Sequence, residues 1–255
     1  MYTGIFDTHA HYTDSTFDAD RAALLGNFPA EGVACVMLAG CSVADSRRCT
    51  ELAAQYPHVW CAVGIHPEQL DGLEPDWCEQ LRAMAVHEKV RAIGEIGLDY
   101  HYEGYDRALE HEVLERQLAL AKELDLPVIL HIREAMGDAL ELLRRTRPRG
   151  VVHCFSGSAE TARELVDLGL YIGIGGVLTY KNARKVVQAV AVIPEDRLLF
   201  ETDCPYLAPV PYRGQRCDSR MIAAVAERAA EIRDTDAQTL IHTAAENARR
   251  LFGIS

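Results

Sequence analysis

The chain has 255 residues, of which 49% are apolar, and its 38 acidic and 26 basic side chains give a formal net charge of −12. This composition is ordinary for a globular protein and excludes a collagen, a coiled coil and a disordered chain. No run of about 18 apolar residues occurs, and residues 1–12 lack the apolar core of a signal peptide, so we expect a cytoplasmic protein without a membrane partner. The acidic balance argues against a broad basic surface for duplex DNA, but it allows a small phosphate-bearing substrate held by metal ions.

Eight cysteines occur, but the chain is long, carries no export signal and contains no C-x-x-C pair. A disulfide framework is typical of short secreted chains, so we expect reduced thiols here. Cys35, Cys61 and Cys154 lie inside apolar runs, where a thiol behaves as a small buried side chain. We therefore expect no structural zinc site built from cysteines.

Short β-rich apolar runs alternate with longer amphipathic segments along the whole chain, without a linker or a low-complexity tract. The predicted strands cover residues 4–8, 33–39, 60–65, 91–95, 128–131, 151–154, 171–174 and 198–201. Apolar positions at three- and four-residue spacing predict helices over residues 44–55, 105–124, 135–145, 159–168, 220–233 and 236–252. Eight βα units in about 250 residues predict a TIM (β/α)8 barrel in a single domain spanning residues 1–255, because open doubly wound sheets more often stop at about five to seven strands.

Ionisable side chains crowd the C-terminal ends of these strands, the end at which a βα barrel carries its active site. Six strands contribute such residues, namely His9, His11, His66, Glu95, His131, His153 and Asp203. Residues two apart in a strand point to the same side, so His9 and His11 can face one point. A single metal ion could accept both imidazoles.

Each of these residues also has a plain structural explanation. A lone histidine at a strand end is commonly a hydrogen-bonded core residue, Glu95 could belong to a buried ion pair, and Asp203 before Cys204-Pro205 could begin a turn. Taken together, those explanations need several buried polar groups at one barrel mouth, each with its own partner. One or two shared cations would satisfy all of them, so we interpret the set as a metal site.

Other polar residues are interpreted as surface or hydrogen-bonded groups. They are His58, His87, His101, His111 and His242. The basic stretch at residues 144–149 leads into the sixth strand at the opposite rim and is interpreted as a solvated surface.

Four imidazoles with two carboxylates exceed what one tetrahedral ion needs, and mixed nitrogen and oxygen donors suit zinc, manganese, iron or magnesium. We therefore predict two divalent ions. Glu95 on a central strand can bridge them, with His9 and His11 on one side and His131 and His153 on the other.

Asp203 would complete the first of the two sites. A water between two cations loses a proton near neutral pH, and Asp203 can orient that water or accept its proton. The predicted reaction class is hydrolysis, with Asp203 and Glu95 as catalytic residues.

Six short blocks follow one another along the chain. They are His-Ala-His at 9–11, Gly-Ile-His-Pro at 64–67, Gly-Glu-Ile-Gly-Leu-Asp-Tyr at 94–100, residues 127–133, His-Cys-Phe-Ser-Gly at 153–157 and Glu-Thr-Asp-Cys-Pro-Tyr-Leu at 201–207. Together these blocks resemble the motifs of the TatD family of metal-dependent deoxyribonucleases over essentially the whole chain, although H-x-H alone also occurs across the wider amidohydrolase superfamily. The resemblance implies a TIM barrel that hydrolyses the phosphodiester bonds of DNA. It also implies a set of metal ligands, namely His9, His11, Glu95, His131, His153 and Asp203.

The blocks also carry the expected substrate contacts. These are His66, Tyr100, Arg133 and Ser156, and the loop after strand eight is expected to add Arg213 and Arg216. The chain departs from the family pattern at Cys204, where a small residue such as Ser or Ala is common, and at Cys217-Asp218, where Asn-Glu-Pro is usual. The departures leave the metal ligands untouched, and they concern the loop after strand eight, which can also be read as a surface turn.

The leading functional hypothesis is a divalent-metal deoxyribonuclease that trims single strands or DNA ends, because a recessed barrel mouth cannot read flat duplex. Aromatic side chains near the mouth are candidate stacking platforms for bases, or else rim packing. They are Tyr12, Tyr100, Phe155, Tyr180 and Tyr206.

One alternative is a binuclear hydrolase of a small phosphoester, amide or lactone. The bridging Lys of other amidohydrolases is absent, and Glu95 stands in its place. Another is a non-catalytic binding protein on the same barrel. We expect no obligate protein partner.

Overall fold

The computed structural model describes residues 1–101, 104 and 106–254. Within these ranges, eight parallel strands form one sheet in the order β1 to β8, with helices between them. The strands are β1 Ile5–Ala10, β2 Val33–Ala39, β3 Val59–Val63, β4 Val90–Asp99, β5 Val128–Arg133, β6 Gly150–Val152, β7 Tyr171–Ile174 and β8 Leu198–Phe200. The α-helices are α1 Arg21–Asn27, α2 Val43–Ala53, α3 Trp77–Ala85, α4 Arg107–Glu123, α5 Met136–Thr146, α6 Ala159–Asp167, α7 Arg184–Val190, α8 Ile222–Arg233 and α9 Ala237–Phe252. The TIM-barrel prediction is confirmed.

The segment that follows β8 closes the barrel against β1. Ala10 and Cys204 form a parallel bridge, and the amide of Asp203 donates to the carbonyl of His9 at 2.9 Å. The amide of His11 donates to the carbonyl of Cys204 at 2.8 Å. Closure therefore places Asp203 beside the two histidines of the first strand.

Several predicted boundaries are wrong in ways that affect the site. The fourth strand was predicted to end at Glu95, but β4 continues to Asp99, so Glu95 lies inside it. The sixth strand was predicted to include His153, but β6 ends at Val152. The start of the second predicted helix, at Tyr105, lies outside the described residues.

Two irregularities of strand register fall at the residues that face the barrel mouth. The pairing of β1 with β2 shifts between Asp7 and Ala10, and the pairing of β4 with β5 shifts between Ile93 and Ile96. Such shifts are common at barrel rims, where they re-aim a side chain. Here they include His9 and Glu95, two of the predicted ligands.

The opposite end of the barrel interior is apolar. A cluster of buried residues takes one or two side chains from every strand, among them Phe6, Ile129, Val151 and Leu199, and packs against α9. Phe252 of α9 reaches the ring of Phe6, with ring centroids 6.1 Å apart. Because α9 closes this end, polar side chains inside the barrel are confined to the C-terminal end of the strands.

Helix ends are set by short polar side chains. Ser42 accepts from the third amide of α2, Ser158 accepts from Thr161, and Asp236 accepts from the amide of Thr239. These bonds satisfy amides that the first helical turn leaves unpaired.

Among the described residues, no helix is long and apolar enough to cross a membrane.

Candidate metal centre

A cavity of about 540 Å³ opens at the C-terminal end of the barrel. Its lining comes mainly from the ends of the strands and the loops that follow them: His11, Thr13, Asp14, Cys41, Ser42, Asp45, Arg48, His66, Glu68, Gln69, Glu95, His131, Arg133, His153, Asp203 and Tyr206. His9 is fully buried directly beneath this lining, in contact with Glu95. The structure thus brings the predicted ligands to one mouth.

Four side-chain atoms form a first set of metal donors. Nε2 of His9 lies 3.1 Å from Nε2 of His11 and 3.2 Å from Oε2 of Glu95. Oδ1 of Asp203 lies 3.2 Å from Nε2 of His11 and 3.6 Å from Nε2 of His9. Each of the two carboxylates therefore approaches the same pair of imidazole nitrogens.

The other oxygen of Glu95 faces a second set. Oε1 lies 2.8 Å from Nε2 of His153 and 3.0 Å from Nδ1 of His131, and these two nitrogens are 3.2 Å apart. Nε2 of His66 lies 3.4 Å from the same oxygen. Glu95 thus divides its two oxygens between two donor sets, as a bridging carboxylate does.

The spacing of the donor atoms fits metal coordination. Ligands of one tetrahedral ion with bonds of about 2.1 Å stand about 3.4 Å apart, and in the first set the distances from each imidazole nitrogen to the other imidazole and to the carboxylates are 3.1 to 3.6 Å. Two imidazole nitrogens 3.1 Å apart can share only one proton, yet Nε2 of His9 faces a second imidazole and two carboxylates. A cation satisfies all of these atoms at once.

Hydrogen bonds on the far side of two imidazoles fix which nitrogen faces the centre. Nδ1 of His11 donates to the carbonyl of Ala39 at 3.2 Å, which leaves the lone pair of Nε2 for an ion. Nε2 of His131 donates to Oδ2 of the buried Asp99 at 3.0 Å, which leaves Nδ1 for an ion. Carbonyl and carboxylate partners of this kind are usual for metal-binding histidines.

His66 is oriented in the opposite way. Its Nδ1 accepts a hydrogen bond from the amide of Glu68 at 3.1 Å, so a neutral ring carries its proton on Nε2. That nitrogen points at Glu95 and into the cavity as an N–H donor. His66 is therefore placed to donate to a substrate oxygen rather than to bind a metal.

The buried carboxylates and histidines of the cluster shift one another's pKa values. Burial alone would raise the pKa of Glu95, but the neighbouring His153 and His9 hold that pKa well below its ordinary value. Burial opposes a charge on His153, yet Glu95 raises its pKa well above the ordinary value. Burial likewise opposes a charge on His11, and Asp203 contributes to raising its pKa well above the ordinary value. In the absence of a metal, protons on these histidines offset the carboxylates.

Two more buried carboxylates support the centre from below. Asp7 accepts from the amide and the hydroxyl of Thr202, at 3.0 and 2.6 Å, and from the hydroxyl of Ser219 at 2.7 Å. Oε1 of Glu201 lies 3.6 Å from Nδ1 of His153 and accepts from the amide of Cys154 at 2.5 Å. The bonds of Asp7 tie β1 to the segment after β8, which carries Asp203, and the contacts of Glu201 tie that segment to His153 of the second set.

The predicted substrate contacts divide into two groups. His66 and Arg133 line the cavity, whereas Tyr100, Ser156, Arg213 and Arg216 do not. Arg216 forms a paired contact with the carboxylate of Asp20, at 2.8 and 2.6 Å, which holds it away from the mouth.

Of the other three side chains, Ser156 is exposed, and Tyr100 and Arg213 are bonded or stacked elsewhere. The hydroxyl of Tyr100 donates to Asp138 at 2.7 Å, and Arg213 stacks on Tyr180 with 4.1 Å to the ring centroid. Sequence spacing could not show these local partners.

Of the aromatic side chains considered as platforms, Tyr206 lines the cavity and is 57% exposed. Tyr12 is fully buried and bonded to Ser219, and Phe155 is part of the core. The five histidines interpreted as surface or hydrogen-bonded groups do not line the cavity: His58, His87, His101, His111 and His242.

Asp99 and Cys41 line or support the centre and were missed as site residues. Asp99 lies two residues beyond Gly97 and four beyond Glu95 in β4, so the two-residue period of a strand could have indicated it. Cys41 follows β2 by two residues, so its place just beyond a strand end could have indicated it.

Comparison with known proteins agrees with this geometry. The family model described as TatD related DNase matches residues 6–253. The chain belongs to the TatD family. It is a metal-dependent hydrolase of the TatD type, and a homologous bacterial protein from Bacillus subtilis named "Uncharacterized metal-dependent hydrolase YabD" is 40% identical over 98% of this chain and 100% of its own length.

Two further TatD relatives match over nearly their whole length. The "3'-5' ssDNA/RNA exonuclease TatD" of Cronobacter sakazakii is 36% identical over 97% of each chain. The crystal structure of YJJV, a TatD homologue from Escherichia coli K12, superposes with a TM-score of 0.94 at 33% identity and covers 100% of both chains. The barrel fold is therefore shared with a solved TatD homologue.

Proposed function

We propose that this TatD protein hydrolyses the phosphodiester bonds of single-stranded DNA from an end, with two divalent ions held by its six predicted ligands. The observation that carries the proposal is the position of Glu95, whose two oxygens face separate sets of imidazole nitrogens. Support for the substrate comes from relatives named as single-stranded DNA and RNA exonucleases. Support for a strand end comes from the cavity, whose volume of about 540 Å³ is in the range of pockets that take one small ligand.

The charges of the cavity explain why a phosphodiester needs cations here. Five carboxylates line it against two guanidinium groups, namely Asp14, Asp45, Glu68, Glu95 and Asp203 against Arg48 and Arg133. An anionic backbone would be repelled from such a lining. Bound divalent ions would supply the missing positive charge and activate water for attack on phosphorus.

The protein's own residues have distinct tasks in this proposal. Asp203 lies at the mouth beside His11 and accepts the proton of the attacking water. His66 donates its Nε2 proton to a non-bridging phosphate oxygen, as its orientation requires. Tyr206 offers an exposed ring on which a terminal base can stack.

The donor atoms and the cysteines support a choice of metal and of cellular compartment. The nitrogen and oxygen donors suit magnesium, manganese or zinc. All eight cysteines are unpaired, which supports a reducing compartment, and we propose the cytoplasm. DNA is the macromolecular partner that this proposal requires.

A nuclease assay tests the proposal. The protein is stripped with a chelator, reloaded separately with magnesium, manganese or zinc, and given an end-labelled DNA strand beside an RNA of the same sequence and a blunt duplex. We expect metal-dependent shortening of the single strand, faster than that of the duplex, with no shortening by Glu95→Ala and full shortening by the matched surface variant His242→Ala. Loaded protein that leaves both single strands intact but hydrolyses a small phosphoester, amide or lactone would favour the small-molecule alternative.

A further inference from the structure

Cys41 places a thiol against the metal centre. Its Sγ lies 3.8 Å from Oε2 of Glu95, and the side chain lines the cavity. His11, Cys41 and Glu95 offer ligand atoms that all lie within 4.8 Å of one another. This thiol is therefore a potential donor in a cluster that already contains two predicted ligands.

The backbone around Cys41 is tied to other residues of the site. The carbonyl of Gly40 accepts from the amide of Glu95 at 2.9 Å, and the carbonyl of Cys41 accepts from the amide of His66 at 2.8 Å. The amide of Cys41 donates to Oδ2 of Asp45 at 3.0 Å. Because these bonds fix the main chain on both sides, the thiol has little freedom except to rotate about its own side chain.

We infer that Cys41 is an additional ligand of the metal centre and gives it a preference for a thiophilic ion such as zinc. This inference rests on the proposed function, since it extends the same centre. A zinc ion with a sulfur bond of about 2.3 Å and an oxygen bond of about 2.1 Å separates sulfur from oxygen by about 3.6 Å, close to the observed 3.8 Å. As the sulfur–metal bond forms, the S–H bond breaks and the proton passes to solvent.

A purely structural role of the Cys41 thiol explains fewer of its contacts than metal binding does. The thiol lies 3.9 Å from the carbonyl of Ala39, so it makes one weak hydrogen bond there. A protonated thiol beside Glu95 uses none of its metal-binding capacity, whereas a thiophilic ion would use the sulfur, the carboxylate and the imidazole together.

Cobalt(II) provides a test that does not depend on turnover, because a thiolate bound to cobalt gives a near-ultraviolet charge-transfer band that nitrogen and oxygen ligands do not give. We expect this band in the cobalt-loaded wild-type protein and in Cys78→Ser, a matched change of a half-buried thiol on α3. We expect its loss in Cys41→Ser with cobalt still bound. In competition, Cys41→Ser should lose zinc relative to manganese by at least about tenfold, the lower end of what even an outer-shell change costs.

The outcomes separate this inference from the proposed function. The role of Cys41 is overturned if the wild-type protein binds two cobalt ions without the band, or if the Cys41→Ser protein keeps the band. Either result leaves the nuclease proposal intact. Protein that binds no cobalt overturns both. Should Cys41→Ser fail to fold, X-ray absorption of the zinc-loaded wild type decides the matter, since a sulfur neighbour at about 2.3 Å is required and its absence contradicts the inference.

Discussion

Nε2 of His131 lies 3.0 Å from Oδ2 of Asp99, a carboxylate at the last residue of β4 that is 1% exposed. The contact turns Nδ1 of His131 towards Glu95, 3.0 Å away. His131 and Glu95 lie on adjacent paired strands, and β5 pairs with β4 at Gly97 and His131. The strand pairing and the buried carboxylate therefore set the orientation of one predicted ligand together.

Asp99→Asn should weaken metal binding without removing a ligand. An amide can still contact His131, but it no longer offers the negative charge that favours an Nε2 proton, so the ring loses its fixed tautomer. We expect the dissociation constant of the second ion to rise by about 10- to 100-fold, measured by calorimetric titration. Asp138→Asn, an exposed change next to Tyr100, is the control and should bind like the wild type. Equal affinity in Asp99→Asn would show that this carboxylate does not tune the centre.

Glu95→Ala should empty the centre more thoroughly than His66→Ala. Glu95 faces both donor sets, whereas Nδ1 of His66 is occupied by the amide of Glu68. We expect the purified Glu95 variant to hold less than half of the wild-type metal, and the His66 variant to hold all of it while losing activity. Elemental analysis of both proteins gives the ratio. If the two ratios are equal, the distinction between ligand and phosphate donor fails.

Asp203→Asn should preserve the fold and abolish turnover. The amide can still offer one oxygen to an ion, but it cannot accept a proton from water. Loss of a positioned base costs about 10² to 10⁴ in rate, and the assay should be run at saturating metal so that weaker binding does not contribute. Cleavage within a few-fold of the wild type would show that the proton leaves by another route.

Metal binding should weaken as pH falls. The pKa values of His11 and His153 are raised well above the ordinary 6.5 in the metal-free protein, because Cys41 and then Asp203 outweigh the effect of burial on His11, and Glu95 outweighs it on His153. An ion must displace those protons, so below the raised pKa each displaced proton lowers the apparent affinity by about tenfold per pH unit. Affinity should therefore climb with pH from 6.5 upwards and level off once both rings are neutral. Calorimetry in buffers of different ionisation enthalpy counts the released protons, and a flat pH profile with no release contradicts the account.

The barrel could be predicted from the sequence because short apolar runs and amphipathic segments alternate regularly along the chain. Eight apolar runs separated by helical spacing allow few other folds, and the ligand histidines follow those runs. Residues of one strand two apart share a side, which correctly indicated that His9 and His11 approach each other. Closure of β1 on the segment after β8 then brings Asp203 to the same point.

Other features depended on contacts that the sequence does not display. Glu95 was expected at a strand end but lies inside β4, where a register shift turns it towards the mouth. Arg216 was expected to hold substrate, but Asp20, almost 200 residues away in sequence, holds its guanidinium. Tertiary partners of this kind are set by packing and have no local pattern.

The most direct test of the central claim is a crystal structure of the protein loaded with manganese, analysed by anomalous scattering. The account predicts two peaks about 3.5 to 4 Å apart on either side of the carboxylate of Glu95, one near His9, His11 and Asp203 and the other near His131 and His153. A single peak at full occupancy, or two peaks with Glu95 bound to only one of them, would contradict the bridged pair on which the proposed hydrolysis depends.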